Sequence, residues 1–258
     1  MEAEGSASLL LSAHQKYGGD ALSYRFTLGR STMDSLEQRY SRVRDAIHQA
    51  CDAAGRRPDT VRLLAVSKTR SADEVAALAA LGQRDFGENY VQEAVAKIAA
   101  LAGQNLCWHF IGPVQSNKTR DIAAHFDWVH SLDRERIARR LNDQRPADMA
   151  PLEVCIQVNI DDEASKQGVS LADVGALAEL VSTLPRLRLR GLMAIPRADS
   201  QDRNRAAFHT LAMTLSSLRN TIPGLDTLSM GMSDDFDVAI AEGATQVRIG
   251  TALFGPRP

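Results

Sequence analysis

Apolar and polar positions alternate between two periods along most of this chain. From Met33 the stretch MDSLEQRYSRVRDAIHQACDAAG repeats apolar residues at Leu36, Tyr40, Val43 and Ile47. That spacing predicts an amphipathic helix, stopped by Gly55 and Pro58. Beyond it, short apolar runs take turns with helical patterns. Strands are predicted at VRLLAVS (61–67), RDFGE (84–88), CWHFIG (107–112), DWVH (127–130), LEVCIQVNI (152–160), LRLRGLMAI (187–195), DTLSM (226–230) and QVRIG (246–250). Helical patterns separate them: ADEVAALAAL, YVQEAVAKIAAL, NKTRDIAAHF, DRERIARRLNDQ, LADVGALAELVSTL, DRNRAAFHTLAMTLSSLRN and DDFDVAIAEG. Only the eighth strand lacks a following helix, because the sequence ends at GPRP, and the helix from Met33 can fill that gap in an outer ring.

Strands rich in Val, Ile and Leu without clean alternation, each returning through a helix, indicate a parallel sheet covered on both faces. Eight such units in roughly 200 residues favour the α/β class as a single closed (β/α)8 TIM barrel, near the lower size limit of that fold. An open doubly wound sheet is the alternative. Its dinucleotide fingerprint is missing, because the first strand runs into SKTRS rather than a glycine-rich turn. Residues 1–32 carry no sustained period and read as an N-terminal extension or an upstream start. No linker divides residues 33–258.

Composition narrows the partners. The 258 residues hold 30 basic and 32 acidic side chains, a formal net charge of -2, so the basic excess that a nucleic acid or an anionic membrane would call for is absent. No apolar stretch reaches the ~20 residues needed to cross a bilayer. ASLLLSA is short and preceded by Glu2 and Glu4, a poor signal peptide, so the cytoplasm is the expected location. Cys51, Cys107 and Cys155 lie far apart in apolar contexts, which suits reduced, buried thiols. A small-molecule ligand is the expectation.

In a barrel of this kind the active site lies at the carboxyl ends of the strands. Lys68 is the only lysine there. It is either a solvated end-marker or a desolvated amine able to attack a carbonyl and form a Schiff base. At the ends of strands seven and eight, GMSDDF and RIGT offer glycines, hydroxyls and free backbone N–H groups. These read as a phosphate site or as ordinary caps. Arg248 sits inside the apolar run QVRIG and needs a partner, either a carboxylate or a ligand atom. An aldehyde-capturing lysine, a phosphate cup and a buried arginine together suit pyridoxal 5'-phosphate.

The motifs AVSKT, FGENYVQEA, WHFIGPVQSNK, LRGLMAIP, LSMGMSDDFDVAIAEG and VRIGTALFG, in this order over residues 33–258, resemble the pyridoxal phosphate homeostasis protein family. That family is related in fold to the N-terminal barrel of alanine racemase. The resemblance implies that Lys68 holds the cofactor as the internal aldimine. It implies that Met232, Ser233, Gly250 and Thr251 bind the phosphate, that Arg248 faces the pyridine nitrogen and that Asn89 lies beside the ring. It assigns no catalytic residue and no metal, and it implies a role in vitamin B6 and amino-acid homeostasis.

An arginine at the pyridine nitrogen keeps that nitrogen unprotonated and weakens the electron sink that carbanion chemistry needs. Racemases of similar fold add a second base from a partner's extra domain, for which this sequence leaves no room. The expectation is therefore bound cofactor with weak or absent racemase activity, a monomer, and apo-enzymes as recipients of the cofactor. A stand-alone racemase would need a base such as Tyr90, His109 or His130. A Schiff-base aldolase would need a carboxylate beside Lys68, for which only Glu88 is placed.

Overall fold

The computed structural model describes residues 34–161, 167–197 and 200–256. The N-terminal extension expected at 1–32 lies outside the described residues. Helix α1 (Leu36–Ala53) opens on a capping box in which Ser35 and Gln38 satisfy each other's backbone N–H groups. It ends where Gly55 takes a φ of 65°. The eight repeating units follow, and their strands hydrogen-bond in sequence order as a closed, all-parallel barrel. The elements are β1 (Arg62–Val66), α2 (Ala72–Ala80), β2 (Asp85–Glu88), α3 (Val91–Ala100), β3 (Cys107–Phe110), α4 (Thr119–His125), β4 (Trp128–Leu132) and α5 (Glu135–Gln144). The second half contributes β5 (Leu152–Gln157), α6 (Val174–Ser182), β6 (Leu187–Met193), α7 (Gln201–Leu218), β7 (Thr227–Ser229), α8 (Phe236–Ala241), β8 (Gln246–Ile249) and α9 (Thr251–Phe254).

The barrel closes between β8 and β1 in a register that pairs Arg62 with Gln246 and Ala65 with Ile249. The expected gap beyond β8 is filled in two ways. A single helical turn, α9, follows the last strand, and α1 packs over it and against α8 and α2. Arg39 on α1 donates from Nε to the Leu253 carbonyl at 2.7 Å, and Arg56 donates to the Ile240 carbonyl at 2.8 Å. The N-terminal helix thus completes the outer ring.

Most apolar side chains lie between the strands and this ring. Val75, Leu78, Phe86, Phe110, Ile122, Ile137, Leu141, Phe208 and Phe236 are fully buried there. Each such side chain contributes about 1.5–3 kcal/mol relative to exposure. The barrel interior is different, for His109, His130, Ser229 and Arg248 project from β3, β4, β7 and β8, all buried. Every predicted strand is present. Most end earlier than their apolar runs, because the residues past each strand turn into the upper loops while staying buried, as Ser67, Ala194 and Met230 do.

Candidate functional site

The residues singled out from the sequence converge on four neighbouring strands. β7, β8, β1 and β2 are adjacent in the barrel, so Met232 and Ser233, Gly250 and Thr251, Lys68, and Asn89 follow one another around a quarter to a half of its carboxyl rim. The register places Gly250 beside Val66: a Cβ at Gly250 would lie 3.2 Å from the Val66 carbonyl oxygen, two residues before Lys68.

Lys68 is half-buried and lies in a short turn that is fixed on both sides. Before it, Ser67 donates from its backbone N–H to the Gly87 carbonyl and from Oγ to Glu88 Oε1 at 2.6 Å. After it, Thr69 takes a left-handed φ of 64° and donates its N–H to Glu93 Oε1 at 2.6 Å. Between these anchors stands a second lysine. Lys97 Nζ on α3 donates to the Ser67 carbonyl at 2.7 Å, to Glu88 Oε1 at 2.8 Å and to Glu93 Oε1 at 2.6 Å. One buried ammonium therefore pins the backbone on one side of Lys68 and the carboxylate that pins the other. Burial pushes the Glu88 carboxyl above its ordinary range, outweighing its bonds to Lys97 and Ser67. Sequence reasoning placed Glu88 only as an aldolase carboxylate and did not see Lys97.

Arg248 is buried without the carboxylate weighed for it. Among the described residues no carboxylate forms an ion pair with it. Nη1 donates to the Ser229 carbonyl at 2.6 Å and to Ser229 Oγ at 2.9 Å, and Nη2 donates to the Ala194 carbonyl at 2.9 Å. Main-chain carbonyls at the ends of β6 and β7 satisfy the guanidinium without cancelling its charge. Among the described residues three of its five N–H bonds find acceptors, leaving two as donors. Burial lowers its pKa to about 10, so it stays charged at neutral pH.

From Arg248 a polar chain descends through the barrel. Ser229 Oγ lies 2.8 Å from His130 Nδ1, His130 Nε2 lies 2.9 Å from His109 Nδ1, and His109 Nε2 lies 3.0 Å from Asp85 Oδ1. Burial depresses the pKa of both histidines, so both rings are neutral. Burial alone would raise the Asp85 carboxyl, but His109 and Arg62 hold it below its ordinary value. An ionised Asp85 only accepts, so His109 donates from Nε2 and accepts at Nδ1. By the same logic His130 donates from Nε2, and Ser229 donates its hydroxyl to His130 Nδ1 while accepting from Arg248. Every bond in the chain runs the same way. His109 and His130, weighed above as bases, are wholly buried and committed to each other, and Tyr90 is 57% exposed.

The phosphate candidates are shaped by one glycine and one carboxylate. Gly231 has a φ of 90°, and a Cβ there would lie 2.6 Å from the Ala239 Cβ, so the turn after β7 fits only a bare backbone. Asp235 closes that turn: Oδ1 accepts from the Met232 N–H at 2.7 Å and Oδ2 accepts from Asn204 Nδ2 at 2.9 Å. The Met232 amide is thus already engaged. The amides of Ser233, Gly250 and Thr251 have no acceptor among the described residues. Asn89 adds a buried side-chain Oδ1 without a partner among the described residues, beside Gly112, which is packed so closely against the Asn89 backbone that a Cβ would come within 2.3 Å of its oxygen. Open amides, spare guanidinium donors and an orphaned amide oxygen gather on one rim, an arrangement that fits a phosphorylated, aromatic ligand.

Comparison with known proteins points the same way. Residues 39–258 match the family model for the alanine racemase N-terminal domain. The chain is 58% identical to the pyridoxal phosphate homeostasis protein of Pseudomonas aeruginosa, over 87% of this chain and 97% of that one. It is 53% identical to that of Escherichia coli, over 87% and 98%. The solved structure of PipY from Synechococcus elongatus with pyridoxal phosphate bound superposes with a TM-score of 0.74 at 37% identity, covering 86% of this chain and all of that one. Alanine racemase from Corynebacterium glutamicum shares the barrel at 17% identity with a TM-score of 0.64, over 86% of this chain and 61% of that enzyme.

Proposed function

Because the chain belongs to the pyridoxal phosphate homeostasis protein family, built on the alanine racemase N-terminal barrel, we propose that it binds pyridoxal 5'-phosphate at the carboxyl rim of this barrel. The single observation that carries the reading is Arg248, a buried cation held by carbonyls with two donors to spare, in line with open amides on the neighbouring loops.

In this reading Lys68 holds the cofactor's aldehyde as a Schiff base. Ser233, Gly250 and Thr251 receive the phosphate through their amides, Met232 joins them only by giving up Asp235, and Asn89 borders the ring. Arg248 donates to the pyridine nitrogen and leaves it unprotonated. The bound cofactor supplies an aldehyde and an electron sink, and this arginine keeps the sink shallow. The histidines face each other inside the barrel, so neither serves as a base on the ring. The chain is then a carrier or regulator of the cofactor, contributing to vitamin B6 and amino-acid homeostasis and passing the cofactor to apo-enzymes. Its three free thiols suit the reducing cytoplasm, where it acts as a monomer. Among the described residues no helix is long and apolar enough to cross a membrane.

Titration of the purified protein with pyridoxal phosphate tests this. The expected result is a visible Schiff-base absorption with one cofactor per chain, absent in Lys68→Ala, and no racemisation of alanine or serine at rates on the order of 1 per second or above. Absence of the absorption in the wild type, or racemisation at such rates, overturns the proposal.

A further inference from the structure

The lower end of the polar chain carries chemistry that the cofactor site does not use. Asp85 on β2 pairs in register with Cys107 on β3, and His109 lies two residues further along the same strand. Strand alternation therefore turns all three side chains the same way. A carboxylate oxygen of Asp85, the Cys107 sulfur and a His109 ring nitrogen all lie within 4.8 Å of one another. Asp85 also lines an open cleft at the amino-terminal mouth, between α1 and the starts of β1 and β2, with Tyr40, Arg44, His48, Arg62 and Gln83. This is the mouth opposite Lys68.

We infer that Asp85, Cys107 and His109 form a binding site for one divalent transition-metal ion, zinc before others, at the amino-terminal mouth of the barrel. The donor set of one sulfur, one imidazole nitrogen and one carboxylate oxygen is that of zinc and cobalt rather than of magnesium or calcium. Three protein ligands leave the fourth position of a tetrahedral ion to water arriving through the cleft. A second observation points the same way. A metal-binding histidine has its other ring nitrogen held by a hydrogen bond that fixes the ring, and His130 holds His109 Nδ1 at 2.9 Å. The aromatic face of Trp128 stacks on His109 at 5.4 Å and fixes its plane.

The proton count closes. Binding releases one proton to solvent, from the Cys107 thiol. His109 changes from the Nε2–H to the Nδ1–H form and donates to His130 Nε2. His130 then carries its hydrogen on Nδ1 and donates to Ser229 Oγ, which accepts from Arg248 as well and turns its own hydrogen away from the ring. No proton is gained or lost by the two rings; the chain reverses its direction between Asp85 and Ser229. Arg62 opposes the ion, for its half-exposed guanidinium lies 3.3 Å from Asp85.

The test uses the tag-free full chain, stripped with a chelator, dialysed and titrated with Co2+ alone. The expected result is one Co2+ per chain with a thiolate-to-cobalt absorption in the near ultraviolet, lost when Zn2+ is added. Cys107→Ser abolishes that absorption and weakens binding by about 10- to 100-fold or more, on the scale seen when a metal site loses even an outer partner. Asp85→Asn also weakens it, and Cys51→Ala leaves it unchanged. Arg62→Ala binds more tightly than the wild type, a gain that no folding defect produces. The proposal is overturned by absence of binding in the wild type, by Co2+ binding without the thiolate absorption, or by a Cys107→Ser variant that behaves like the wild type. None of these outcomes involves pyridoxal phosphate, so the cofactor assignment stands or falls separately.

Discussion

Ser229 shows how far one hydroxyl reaches in this barrel. It accepts from Arg248 and donates to His130, joining the buried cation of the upper mouth to the histidine pair. Ser229→Ala leaves both groups short of a partner in a region without water access, at a cost of about 2 kcal/mol; urea denaturation of the two proteins measures it. Glu88 carries a pH signature. Its folded pKa is raised above the ordinary 4.5, so below that value folded and unfolded chains both hold the proton and the stabilising contribution is complete. As pH rises through the folded pKa the unfolded chain has already released its proton, and the contribution is lost. Glu88→Gln does not titrate, so the stability of the wild type relative to this variant falls as pH climbs from 4.5 toward neutrality. A relative stability that instead rises over this interval would show the Lys97 pair outweighing burial. Lys68 and Arg248 were legible in the sequence because each breaks an apolar run at a strand end or inside a strand. Lys97 had a signal too: helical period puts it on the stripe of Ala94 and Leu101, both buried. Ser229 and Asp235 had none, since a serine in DTLSM and one aspartate among three near a helix start acquire their roles only from partners far away in the chain.

At the level of elements, the alternating periods determined the order and number of strands, and the closed barrel follows from it. The ends were less legible. The apolar residues Val158, Ala194 and Met230 continue past the ends of β5, β6 and β7 while staying buried beneath the loops of the rim. Helix α8 begins at Phe236 rather than Asp234, because Asp235 turns its carboxylate back onto the Met232 amide and delays the first helical turn. The β7–α8 turn depends on Gly231. Gly231→Ala forces a side chain into a left-handed backbone and against Ala239, which costs more than about 1 kcal/mol. Thermal unfolding is expected to shift downward by several degrees, and cofactor affinity to fall with it, since the same turn presents the Ser233 amide. An unchanged melting temperature would show that the turn relaxes freely.

The molecule as a whole sets two polar mouths at opposite ends of one barrel, joined by a chain of five side chains from Arg248 to Asp85. Its outer core holds the ring of helices, while its interior gives up apolar packing to keep this chain continuous. Stability lost to the buried arginine is regained when a ligand binds the folded state alone. We propose Lys68 as the residue that holds pyridoxal phosphate, although Lys97 lies beside it and is the more deeply buried amine. Borohydride reduction of the protein with bound pyridoxal phosphate, followed by peptide mass mapping, decides between them. A single pyridoxyl adduct on the peptide containing Lys68 is expected, and an adduct on Lys97 or on no lysine overturns the assignment.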